Sequence, residues 1–171
     1  GYNDVDITAL AAGPANVKVR FRYEHTAAEA GRYWYVDNVR VADGSGNIIF
    51  RDNFNGQTVY TSNFKNWVPD TWTNWAWARV FGTSAGNQWM NVISGTSPTC
   101  TPDEGARMAE YNSYSATAGN QARIYSDAFD ASSAVTLKMS FAMYHDSGDT
   151  SADMISVQAS IDNGATWTTI D

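Results

Sequence analysis

The chain has 171 residues, 43% of them apolar and 17% charged, with 7 Trp, 9 Tyr and 7 Phe. That is enough apolar material for one packed domain and argues against disorder. Acids outnumber bases 18 to 11 for a formal charge of −7, which argues against a phosphate-backbone partner. No apolar run approaches the ~20 residues of a membrane-spanning helix, so neither nucleic acid nor membrane insertion is expected.

The charge is lopsided. Residues 1–79 carry 8 bases and 8 acids, whereas residues 80–171 carry 3 bases and 10 acids. The chain begins on Gly1, as a processed product or an excised piece would, and no signal peptide precedes the first strand pattern. The single cysteine, Cys100, lies between Pro98 and Pro102 and excludes an internal disulfide; a half-buried free thiol is expected.

Read from the N-terminus, the dominant period is two. Val17, Val19, Phe21 and Tyr23 alternate with Lys18, Arg20, Arg22 and Glu24, as in a strand with one buried face. A short helix is expected at Thr26–Ala30. In Tyr33–Val41 the apolar residues fall at Trp34 and Val36, then at Val39 and Val41. The phase slips by one at Asp37–Asn38, which predicts a β-bulge. The cluster Ala42–Asn47 reads as a turn into a strand at Ile48–Phe54, forming a hairpin that brings Asp52 near Asp37. Asp52 shares its face with Ile48, Phe50 and Phe54, and a carboxylate on an apolar face is costly unless it is paired or bound to metal.

The stretch Tyr60–Ser97, with Trp67, Trp72, Trp75, Trp77 and Trp89, mixes short strands with long loops. Further alternation runs from Val135 to Met143 and from Ile155 to Ile161. Asp162-Asn-Gly164 predicts a tight hairpin into Thr166–Ile170. Many short strands between polar turns predict an all-β protein, a sandwich of two antiparallel sheets or a jelly roll.

Four segments together resemble the MAM-like, choice-of-anchor jelly-roll domains of secreted and cell-surface proteins. They are Ala122–Asp130, Met139–Asp146, Ser160–Trp167 and Trp34–Val39. The resemblance implies an extracellular jelly roll spanning residues 1–171, and it names no activity. The motif order departs from the family. The Trp-Tyr-Val-Asp-Asn-Val element, which closes the family domain, comes first here; an Asp-Asn-Phe element like Asp52–Phe54 opens it there. Residues 1–49 therefore look like the family's last strands, and residues 50–171 like its N-terminal and central part. Either the chain is a circular permutant closing on itself through the hairpin at Ala42–Asn47, or its first strands complete a neighbouring copy.

The resemblance also implies a structural Ca²⁺ at this junction, with Asp37 and Asp52 as ligands; side-chain or backbone oxygens of Asn38, Asn53 or Asn55 are the further hard ligands at hand. The alternative is that both carboxylates accept backbone N–H groups at the bulge. The acidic group Asp146, Asp149 and Asp153 does not match an EF-hand and reads as a solvated loop. The Trp-rich stretch is either core and loop packing or a sugar-stacking platform, with Trp67, Trp72 and Trp89 the candidates for ligand contact. Trp34 and Trp167 read as core. His25 and His145 match no zinc spacing, and neither a nucleophile elbow nor a phosphate loop occurs. The chain thus reads as a non-catalytic structural or adhesive module, a repeat of a surface protein or a subunit assembling by strand sharing with copies of itself. A carbohydrate-binding module of a secreted hydrolase or peptidase, taking glycans, is the alternative.

Overall fold

A computed structural model of the chain describes residues 1–25, 33–55, 89–112, 121–145 and 153–170. Among these residues two antiparallel sheets face each other across one core, the architecture of an all-β sandwich.

The first sheet is built around an 11-residue strand, β3, Tyr33–Asp43. The preceding elements are β1 (Tyr2–Asp6), the single helical turn α1 (Thr8–Ala11) and β2 (Lys18–His25); β4 (Ile48–Asp52) follows. Next come β5 (Trp89–Val92), a two-stranded ribbon of β6 (Gly95–Thr96) and β7 (Thr99–Cys100), and β8 (Met108–Asn112). The chain continues through β9 (Gln121–Tyr125), β10 (Leu137–His145), β11 (Asp153–Ser160) and β12 (Thr168–Ile170). The six-stranded sheet runs β1-β10-β3-β8-β5, with β4 on the same edge of β3 as β8 but further along it. The other sheet runs β12-β11-β2-β9.

The alternation in β2 holds: Val17, Val19, Phe21 and Tyr23 have no exposed surface. Phe21 meets Phe141 of the facing sheet edge to face at 5.0 Å. Val36, Val39 and Val41 of β3, Leu137, Met139 and Phe141 of β10, and Ile124 of β9 complete the same core. On the outer face of β3, Tyr35 packs with Cys100 and Met108 in a second small cluster, beside the β6–β7 ribbon. The Cys100 thiol is buried and free, as expected.

The bulge lies where the apolar phase slips. Ala142 pairs with Asp37 and Ser140 with Arg40, so Phe141 alone faces both Asn38 and Val39. Asn38 takes a left-handed backbone, φ 50°. Asparagine tolerates this conformation better than most residues. The β3–β4 hairpin also forms, its turn closed by Asp43, which accepts Ser45 N and Asn47 N, both at 2.9 Å.

Other expectations need correction. β10 starts at Leu137, and Val135 is 85% exposed. Leu137 is the first residue with a backbone neighbour: its O accepts Ile7 N at 3.0 Å, and its N donates to Thr8 Oγ1 at 2.9 Å. The last hairpin is not tight, since Ala159 pairs with Thr168 and residues 161–167 form the loop. Asp162 organises that loop by accepting Thr166 N, while Asn163 and Gly164 are both left-handed, φ 60° and 94°. Ile161 is accordingly exposed, and Ile48 is too. The turn α1 was not anticipated, because four residues carry no visible period. The helix expected at Thr26–Ala30 lies outside the described residues.

β1, β2 and β3, all from residues 1–49, pair with β8, β9, β10 and β11 of the same chain. Among the described residues no helix is long and apolar enough to cross a membrane.

Candidate functional site

Two polar constellations stand out, one on each sheet. The first grows from the bulge. Left-handed Asn38 turns the Asp37 carboxylate out of the ladder, where it is only 3% exposed. Its Oδ1 accepts Asn38 N at 2.7 Å; its Oδ2 accepts Asp103 N at 2.7 Å and Glu104 N at 3.0 Å. The loop Thr101–Arg107 is thereby pinned to β3. Asn38 Nδ2 donates to Tyr2 Oη at 2.6 Å and to Asp103 Oδ2 at 3.0 Å, and the Tyr2 hydroxyl also donates to Asp103. Arg40 and Arg51 both hold Glu104. Asn55 Oδ1 accepts the N–H groups of Ala106 and Arg107.

The charges follow this geometry. Burial pushes the Asp37 carboxyl up to about 6, against the opposing pull of its three backbone N–H donors. Asp103 is held low by the Tyr2 hydroxyl and then Asn38, and Glu104 by Arg51 and then Arg40.

Of the residues proposed for Ca²⁺, Asp37 and Asp52 are both buried on this junction. Their oxygens are already engaged: Asp37 as above, Asp52 Oδ1 by Phe54 N at 2.7 Å, and Asn53 Oδ1 by Asn55 N at 3.3 Å. Asn38 Oδ1 accepts Arg40 Nε at 2.9 Å, which sets a guanidinium where a cation would approach. Ca²⁺ needs six to eight oxygens; in this arrangement Asp37, Asp52 and Asn53 accept backbone N–H groups and Asn38 accepts a guanidinium. Among the described residues no group of three or more His, Cys, Asp or Glu side chains could hold a metal ion.

The aromatic candidates separate. Trp89 is 1% exposed, packed against Phe21 and Tyr111, so it is a core residue and offers no face to a sugar. Its polar sequence neighbours masked this, because a strand buries alternate residues whatever flanks them. Trp67 and Trp72, with Trp75 and Trp77, lie outside the described residues, as does most of the acidic loop with Asp146 and Asp149. Trp34 packs on the core edge and stacks on His145 at 4.4 Å.

Trp167 is not core, and here lies the second constellation. The alternation that buries Val19, Phe21 and Tyr23 puts Lys18, Arg20 and Arg22 on the outer face of β2. Register sets Arg22 directly opposite Arg123 of β9, and Arg20 between Gln158 of β11 and Tyr125 of β9. The residues 161–167 loop folds Trp167 over Arg20, with the guanidinium carbon 4.1 Å from a ring centroid of the indole. Trp167 Nε1 donates to Gly164 O at 3.0 Å, which fixes the indole. Arg20 Nε donates to Gln158 Oε1 at 2.6 Å, and Gln158 Nε2 in turn to Thr169 Oγ1 at 2.8 Å. Lys18 Nζ lies 5.6 Å from the Tyr125 ring centroid. Burial, then Arg123 and Arg22, pull the Arg20 guanidinium down to about 10. The sequence held the signal for this face in the three alternating bases of β2; what it did not show was the fourth, Arg123, 101 positions on from Arg22.

No family model, no curated protein and no solved structure matches this chain.

Proposed function

We propose that the chain is a non-catalytic structural or adhesive module of the cell exterior, a jelly-roll sandwich of the MAM-like kind in permuted order. The observation that carries this reading is the closure of the frame. The strand that ends the family pattern, β3, is central in the six-stranded sheet and hydrogen-bonds β4, β8 and β10 of its own chain. The clustered polar groups at the bulge serve that frame. Asp37, Asn55 and Glu104 each spend their oxygens on backbone N–H groups or arginines that tie the Thr101–Arg107 loop to β3 and β4.

A self-contained module is favoured over a strand-sharing subunit, because a strand already paired on both edges has no ladder left to give a neighbour. Light scattering on the purified chain over a hundredfold concentration range tests this. The mass of one chain throughout is the expected result. A ladder of masses growing with concentration would transfer the function to assembly by strand exchange.

A further inference from the structure

We propose that the outer face of the β12-β11-β2-β9 sheet is an oxyanion-binding site built by Arg20, Arg22 and Arg123, and that its ligand is an acidic saccharide. This deepens the adhesive reading and rests on it, by naming what the module adheres to.

Three observations point to an anion. Arg20 is only 9% exposed, yet no carboxylate contacts it among the described residues; its partners are the Trp167 ring and Gln158. A cation taken this far out of water is ordinarily paired. Next, Arg22 stands directly opposite Arg123 in the ladder, where like charges repel across strands. Glu24 lies 3.0 Å from Arg22. Lastly, Arg22 Nε is buried with no acceptor among the described residues. An incoming carboxylate or sulfate would be held by several of these guanidiniums at once.

The site is also pre-organised. The Trp167 ring and Gln158 hold the Arg20 stem and Nε, leaving its terminal nitrogens to form the planar fork that suits a two-oxygen anion. Little side-chain freedom is left to lose on binding.

The ligand class follows from what surrounds the arginines. Among the described residues the large apolar side chains of this face stand at its ends, Met154 beside Glu24 at one and the Trp167 and Tyr125 rings at the other, with no apolar centre of the kind that a protein–protein interface buries. Ser156 and Thr169 stand among the charges. Hydroxyl-rich sugar rings bearing carboxylate or sulfate groups match that mixture. The overall charge of −7 repels a long polyanion from a distance, so binding depends on these close contacts rather than on steering.

The test uses the whole chain and three polymers in biolayer interferometry: polygalacturonate for carboxylate, dextran sulfate for sulfate and neutral dextran as control. Binding to one or both acidic polymers, none to dextran, and at least a tenfold loss in Arg20→Gln and in Arg123→Gln is expected. Arg20→Lys keeps the charge but not the fork, and should lose several-fold. Lys138→Gln, on the other sheet, should bind as the parent does. Thermal unfolding verifies that each variant folds; Arg22→Gln serves if Arg20→Gln does not. Absence of binding to both acidic polymers overturns the proposal, as does equal binding by the arginine variants or an equal loss in Lys138→Gln. Self-association of the parent that the same arginine variants abolish would assign the face to a second copy and overturn the saccharide. A parent chain that binds neither acidic polymer and keeps its single-chain mass removes this site and leaves the module reading standing.

Discussion

Replacing Phe21 by alanine tests whether the first strands are buried by their own chain. Phe21 has no exposed surface. It sits mid-strand on β2 between Val157 and Ile124, edge to face with Phe141 at 5.0 Å and tilted against Trp89 at 6.5 Å. Removing a fully buried phenyl ring costs ~3–5 kcal/mol in lost transfer and cavity terms, and an aromatic pair contributes ~0.5–1.5 kcal/mol beyond its area. With partners from both sheets the site has little room to collapse, which places the expected loss near the upper end, about 4–5 kcal/mol. At ~2–4 °C per kcal/mol for a chain of this size, the melting temperature should fall by roughly 8–20 °C. Urea denaturation followed by Trp fluorescence, on parent and variant at two concentrations fifty-fold apart, gives the number. The same loss at both concentrations is expected, because unfolding of a self-contained sandwich is unimolecular. A loss below ~1.5 kcal/mol would refute the sandwiched ring, and midpoints that rise with concentration would mean that a second copy buries β2.

Asp37 carries a pH dependence with a definite sign. Its folded pKa of about 6 lies above the ordinary 3.8, so the stabilisation is complete below about pH 4 and is lost as pH rises through 6. That amounts to about 3 kcal/mol at ~1.36 kcal/mol per unit. Asp37→Asn is uncharged throughout, so its deficit against the parent should shrink by that amount between pH 4 and pH 7 in urea titrations. A constant or widening deficit would contradict the burial argument. Because N–H donors and Arg40 already engage the oxygens at the bulge, EDTA should leave the melting temperature unchanged. A fall that added calcium restores would put a cation there. Gly105 has φ +78°, and a Cβ there would run into the Asn55 side chain. Gly105→Ala should cost ~1–3 kcal/mol in thermal unfolding, from the left-handed backbone and the displaced clasp. No loss would mean that Asn55 does not dock this loop.

Much of the sandwich was legible because a half-buried strand writes its burial into the sequence with period two. Val17 to Tyr23 shows this at full strength, and so does the one-residue slip at Asp37–Asn38, a break in that period that has a single backbone meaning. Where the period misled, at Val135 and Ile161, the apolar residue continued the pattern past the last strand partner, and alternation does not report where a neighbour ends. Asp162-Asn-Gly164 marked a reversal correctly but not its length, since the Asp162 and Ser160 side chains hold a wider loop together. The site was less legible than the fold. Asp37 could be recognised as a costly buried carboxylate, but its partners Asp103 and Glu104 are 66 and 67 residues away. Arg20 looked like any outward-facing base until the far end of the chain laid Trp167 over it.

Whether the first strands close within one chain is read by a disulfide across the β3–β10 ladder. Ala42 and Lys138 are register partners, one from residues 1–49 and one from residues 50–171. Paired residues of an antiparallel ladder lie within the Cα range that a disulfide spans. The variant carries Ala42→Cys and Lys138→Cys with Cys100→Ala. It is oxidised at high dilution and at high concentration, and its mass is read on a non-reducing gel. One species with the mass of a single chain, internally linked, is expected at both concentrations. Covalent dimers and higher ladders, in which the thiol introduced on β3 of one chain is joined to the thiol introduced on β10 of another, would contradict closure within one chain.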